Sequence, residues 1–179
     1  MRETDYLKEN KKALDLLRRI DRFQAFSDED LGSFLAVGKL KEYEAGETII
    51  KKGDIDHWVF FLVSGEVKVV KGEQTFAILK RSGDLFGEMG VIDGSPRSAS
   101  VWAMTKTMLL GLDLGNLQDP KKEFANIFYY TIFRLFAESL AERLRMTNEE
   151  IVRLQGELKQ KDALIAKLSK DPQNDTMWL

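Results

Sequence analysis

Apolar positions fall into three textures along the chain. Between residues 5 and 22, Leu7, Leu14, Leu17 and Ile20 recur at roughly helical spacing among charged neighbours, which predicts an amphipathic helix. Ser27, followed by Asp30 and then Leu31, Phe34 and Leu35, predicts a second short helix opened by a capping box. From 39 to 113 the pattern shortens. Apolar, β-rich runs at 48–50, 58–63, 67–70, 76–79, 99–103 and 108–112 alternate with Gly46, Gly53-Asp54, Ser64-Gly65, Lys71-Gly72 and Ser82-Gly83. Many short strands at near-regular spacing predict a sandwich or jelly roll. The runs at 67–70 and 76–79 flank Lys71-Gly72-Glu73-Gln74, a hairpin signal.

After Leu117 a helical pattern takes over. Pro120 suits the first turn of a helix, and no further proline occurs until Pro172. Ala137, Leu144, Ile151, Leu158 and Ile165 fall every seven residues; so do Phe133, Leu140, Thr147, Leu154, Lys161 and Leu168. These are the a and d positions of a coiled coil, broken only at Thr147 and Lys161. A helix packed on its own domain accounts for the aromatic stretch 124–136. Beyond Leu144 little core is left to cover, so self-association over 133–168 is expected. Flanking Glu150, Glu157, Gln155 and Asp162 do not fix strand number or orientation. The expected organisation is N-terminal helices over 1–36, a β-rich domain over 37–119, a long helix over 120–170 and a frayed tail over 171–179.

Composition narrows the chemistry. The 179 residues are 44% hydrophobic, enough for one domain with a core and an appendage. With 27 basic and 29 acidic side chains, the formal net charge of −2 gives no global drive toward nucleic acid or membrane. The absence of cysteine excludes disulfides, thiolate metal sites and cysteine nucleophiles, and the lone His57 excludes a histidine-rich metal site. No apolar run is long enough to span a bilayer, and the N-terminus lacks a signal-peptide core, so a cytoplasmic protein is expected. No nucleophile–base pair or triphosphate loop is visible, so no enzyme activity and no metal are expected.

The richest segment for chemistry is 83–101, Gly83-Asp84-Leu85-Phe86-Gly87-Glu88 through Pro96-Arg97-Ser98-Ala99-Ser100-Val101. Gly87 lets the backbone approach a ligand closely. A short helix opening near Glu88 would aim free N–H groups at an anion. Arg97 supplies a charged donor fork suited to phosphate oxygens. Glu88 accepts only, when ionised, and so suits a ligand hydroxyl. Taken singly, Glu88 and Arg97 could equally be a surface ion pair.

These residues resemble the cyclic-nucleotide-binding domain family over about 25–150. Gly53-Asp54 and Gly65 sit where that family's β-roll makes tight turns, and the two ends of 83–101 match its phosphate-binding cassette. The nine-residue step from Glu88 to Arg97 resembles the spacing in protein kinase A regulatory subunits. The resemblance implies a mainly β fold with flanking helices: a double-stranded β-helix jelly roll followed by a long C-terminal helix. It implies that Glu88 accepts from the ribose 2′-hydroxyl and that Arg97 pairs with an equatorial phosphate oxygen. It further implies that N–H groups near Gly87 and Ala99 complete the cradle, that Ser98 adds a hydroxyl and that Val69 lines the purine pocket.

Residues 141–149 also resemble the long dimer helix of the catabolite activator group within that family, where a Thr-Ser pair meets adenine. Here the pair is Thr147-Asn148. A polar seam residue that sets coiled-coil register is the other reading of Thr147. The group carries a DNA-binding domain after this helix; here the coiled-coil pattern continues instead, with no recognition helix or basic patch. The expectation is therefore a homodimeric cAMP or cGMP sensor acting on an unknown effector protein, binding neither DNA nor membrane. Thr147-Asn148 tilts the choice toward cAMP. The alternative is a ligand-free coiled-coil assembly scaffold.

Overall fold

The computed structural model describes residues 2–4, 11–18, 20–24, 26–115 and 123–168. Nine strands and four α-helices make up these residues: β1 (Arg2–Thr4), α1 (Lys11–Arg18), α2 (Asp28–Val37), β2 (Gly38–Tyr43), β3 (Thr48–Ile50), β4 (Trp58–Ser64), β5 (Val67–Lys71), β6 (Gln74–Leu79), β7 (Leu85–Phe86), α3 (Glu88–Asp93), β8 (Ser100–Ala103), β9 (Thr107–Asp113) and α4 (Glu123–Leu168). The strands pair antiparallel in two sheets, ordered β1-β2-β9-β4-β7 and β3-β8-β5-β6. This is the expected β-roll with a long C-terminal helix. Leu7, Pro120 and the tail 171–179 lie outside the described residues.

Local sequence explains the turns. Ser27 caps α2 by accepting from the Asp30 N–H at 3.1 Å, while the Asp30 carboxylate accepts from the Ser27 N–H at 3.0 Å. In the β5–β6 hairpin Lys71 faces Gln74, so Gly72-Glu73 forms the tip, with Gly72 at φ 67°. Gly65 turns at φ 96°, where an added Cβ would lie 2.6 Å from the Lys106 carbonyl oxygen; both counts demand glycine.

Alternation along β4 builds two cores, because successive side chains leave a strand on opposite faces. Val59 and Phe61 point to one cluster with Leu17, Ile20, Phe23, Phe34 and, from the first turns of α4, Phe128, Ile132, Leu135 and Phe136. Phe60 and Leu62 point to the other, between the sheets, with Tyr43, Ile50, Val67, Phe86, Val101 and Leu109. The compact unit therefore runs to Phe136, past the point where the helical pattern begins, and Ala137 opens a second unit.

That second unit is, among its described residues, helix alone. Its seam residues Leu144, Ile151, Leu154, Leu158, Ile165 and Leu168 are all exposed. Arg153 bonds Glu150 and Glu157 along one face, and the hydrogen bond from Arg153, followed by its charge, holds the Glu150 carboxyl below its usual range. No helix among the described residues is long and apolar enough to cross a membrane.

Candidate functional site

Arg97 organises the site. It sits in the loop between α3 and β8 yet is only 4% exposed. Two backbone bonds place it: its N–H donates to the Asp54 carbonyl at 2.8 Å, and its carbonyl accepts from the Gly53 N–H at 2.9 Å. The Gly53-Asp54 turn and the cassette are thereby stitched together. The guanidinium then meets protein groups on several sides. Nε donates to the Asp56 carboxylate at 3.1 Å, and Nη2 donates to the other Asp56 oxygen and to the Trp58 carbonyl at 2.5 Å. Nη1 donates to the Gly87 carbonyl at 2.5 Å. Four of the five guanidinium hydrogens are used in this way. The fifth is on Nη1.

Gly87 lies against Nη1. It is left-handed, at φ 88°, and caps α3 without any side-chain bond to the first-turn N–H groups. A Cβ there would stand 3.0 Å from Arg97 Nη1 and from the Trp58 oxygen, and 3.2 Å from Ile50 Cδ1. Glu88 follows as the first residue of α3 and is buried, at 1% exposure. A buried carboxylate and a buried guanidinium thus flank one glycine at the mouth of a short helix. That arrangement can hold a small ligand carrying both a hydroxyl and an anionic group. Of the other expected residues, Ala99 and Val69 are half-buried and Ser98 is exposed. Val69 lies on β5 opposite Val101 and packs against the core between the sheets. Thr147 and Asn148 are exposed positions of α4 in the second unit. Among the described residues no cluster of His, Asp and Glu could hold a metal ion.

Two participants escaped the sequence reading, Asp56 and Trp58. Asp56 follows the Gly53-Asp54 turn and grips the Nε–Nη2 edge of Arg97; Trp58 donates its N–H to Asp56 at 2.9 Å and offers its carbonyl to Arg97. Partial burial raises the Asp56 carboxyl pKa, but the bonds from Arg97 and Trp58 and the Arg97 charge outweigh it and hold the carboxyl below its usual range. A depressed carboxyl contributes stability above its unfolded value, near 4, and loses it as pH falls through the folded value. Asp56→Asn should flatten that acid limb and weaken ligand binding by roughly three- to tenfold, because Arg97 loses a charge-assisted orienting partner. Thermal unfolding between pH 3 and 7 measures the first effect; superimposable acid limbs for the two proteins would contradict the pairing.

A family model for the cyclic nucleotide-binding domain matches residues 40–120. Among characterised proteins, the chain is 35% identical over 115 residues to a Pycsar effector protein of Xanthomonas perforans, covering 64% of this chain and 36% of that protein. It is 31% identical over 99 residues to a cAMP-dependent protein kinase regulatory subunit of Colletotrichum orbiculare, covering 55% and 25%. The chain therefore spans about a quarter to a third of the length of these relatives. Among solved structures it resembles a cyclic nucleotide-binding domain from Methylobacillus flagellatus, with a TM-score of 0.63 and 26% identity over 80% of this chain and 82% of that one. The Thermus thermophilus catabolite activator protein matches with a TM-score of 0.60 and 28% identity over 75% and 62%.

Proposed function

Residues 40–120 of this chain belong to the cyclic nucleotide-binding domain family, and on that premise we propose that it is a cytoplasmic sensor that binds cAMP or cGMP. The observation that carries the reading is the pair of buried ionic groups, Glu88 and Arg97, on either side of left-handed Gly87. In this reading Arg97 takes an equatorial oxygen of the cyclic phosphate through its Nη1 edge, held from behind by Asp56. Glu88 accepts from the ribose 2′-hydroxyl. N–H groups at Gly87 and Ala99 complete the anion cradle, Ser98 adds a hydroxyl, and Val69 lines the base pocket. A site with buried groups of both signs suits a ligand that carries a hydroxyl donor and an anion together.

The output is assigned to α4. A second copy of the chain covers the exposed heptad seam over 133–168, and the base is met by Thr147 and Asn148, which favours cAMP. Binding then does work only through its differential affinity for two helix arrangements. Two relatives are by name an effector protein and a kinase regulatory subunit. The reading carries this over as control of an effector protein, with no reaction, metal or direct DNA contact of its own. Thermal unfolding with and without cyclic nucleotide tests it. At a ligand concentration 100-fold above Kd the native state gains about 2.7 kcal/mol. A raised midpoint with cAMP or cGMP is expected. No shift with either, together with no nucleotide released on denaturing the purified protein, would leave the coiled-coil scaffold as the reading.

A further inference from the structure

Lys41 lies on β2 at 7% exposure, with its ammonium 3.5 Å from the centre of the Trp58 ring and 5.8 Å from that of Phe60. A cation so deeply buried is tolerated only where something offsets its lost hydration, and an indole face is the best aromatic partner for it. The two residues are not on neighbouring strands: β9 runs between β2 and β4. They meet because β9 carries Gly111 at the crossing, where a Cβ would stand 3.1 Å from Trp58 Cε3 and from Phe60 Cε1. Trp58 stacks on Phe60, and Phe60 on Phe86, the residue before Gly87. Trp58 is also the residue whose N–H holds Asp56 and whose carbonyl holds Arg97.

We propose that Lys41 is a positioning residue for the anion cradle: through the ring of Trp58 it fixes the main chain that orients both Asp56 and Arg97. Gly111 is the gap that permits the contact. This rests on the nucleotide-binding reading and adds to it a determinant two strands away in the same sheet, outside the cassette. The sequence hides the determinant, because Lys41 reads as one charge in a charged strand and Gly111 as a break in an apolar run. A lysine with only a packing role would serve stability alone, and its replacement by an apolar chain of similar length would leave ligand affinity untouched.

Titration of the full chain with cAMP and cGMP, alongside Lys41→Met, Lys41→Arg and Gly111→Ala, tests this. Lys41→Met keeps length and apolar packing while removing the charge, and should weaken binding roughly three- to tenfold. Lys41→Arg keeps a cation that can lie on the indole and should restore most of the affinity. Gly111→Ala crowds the Trp58 and Phe60 rings while leaving Lys41 and Arg97 unsubstituted, and should weaken binding to a similar degree; it carries the test if Lys41→Met does not fold. Combining Lys41→Met with Asp56→Asn should cost no more than the larger single loss, since both act through one held segment. Wild-type affinity in Lys41→Met, or in Gly111→Ala where Lys41→Met does not fold, overturns the proposal. So does a loss that Lys41→Arg fails to restore, or additive losses in the double variant. A wild-type chain that binds neither nucleotide overturns the sensor reading and this proposal with it.

Discussion

Arg97→Ala should weaken cyclic-nucleotide binding by roughly 2–4 kcal/mol, a loss of about 30- to 1,000-fold in affinity. The size follows from burial. Arg97 is 4% exposed, so its charge would meet a ligand phosphate in a poorly hydrated setting. The loss has a second component, because truncation also strips partners from Asp56, the Gly87 carbonyl and the Trp58 carbonyl. The cradle around the missing side chain is then free to rearrange. Arg97→Lys should recover only part of the affinity: one ammonium cannot span the Nε–Nη2 fork on Asp56 and two carbonyls at once. Calorimetric titration of folded variants measures both. Unchanged affinity in Arg97→Ala would refute the role assigned to it.

Phe61→Ala should destabilise the domain by about 3–5 kcal/mol, in the range for truncating a fully buried aromatic ring. Phe61 is 0% exposed, and its ring lies 5.0 Å from Phe23. Phe23 continues to Phe34 at 5.2 Å, and Phe34 to Phe128 of α4 at 5.0 Å. One row of rings thus ties the sheet to the N-terminal helices and to the first turns of the long helix. The cavity opens at the point where these elements share a core, so the surroundings cannot collapse into it without shifting several of them. Since whole domains are stable by only about 5–15 kcal/mol, the variant should sit near its unfolding threshold. Urea unfolding reads the loss; a change below about 1 kcal/mol would contradict a single core shared by sheet and helices.

Elements with a strong local period were legible from the residues. The run 48–50 is β3, and the runs 58–63 and 67–70 each extend by one residue in β4 and β5. The seven-residue repeat lies within one continuous helix. What was missed lacks such a signal. In β2, Lys39, Lys41 and Glu42 interrupt any apolar alternation, and the strand exists because it pairs along its whole length with β9. β7 is two residues long and lies inside the cassette, while β1 is three residues lying just ahead of a helical pattern. The site divides in the same way. Gly87, Glu88 and Arg97 are neighbours in a recognisable segment, so their spacing carried the information. Asp56 is forty-one residues from Arg97, and only the backbone bonds between the 53–54 turn and Arg97 decide that Asp56 is the acid that grips the guanidinium. Lys41 reaches Trp58 across an intervening strand, a contact that no local pattern announces.

The central claim is that the Glu88–Gly87–Arg97 cradle holds a cyclic phosphate and its ribose hydroxyl. Calorimetric titration of the full chain with cAMP, cGMP and the ring-opened 5′-AMP tests it most directly. Saturable binding of one cyclic nucleotide per chain, lost on Arg97→Ala and much weaker for 5′-AMP, is the predicted result. A folded chain that takes up neither cyclic nucleotide, or that binds 5′-AMP as tightly as cAMP, would contradict the account.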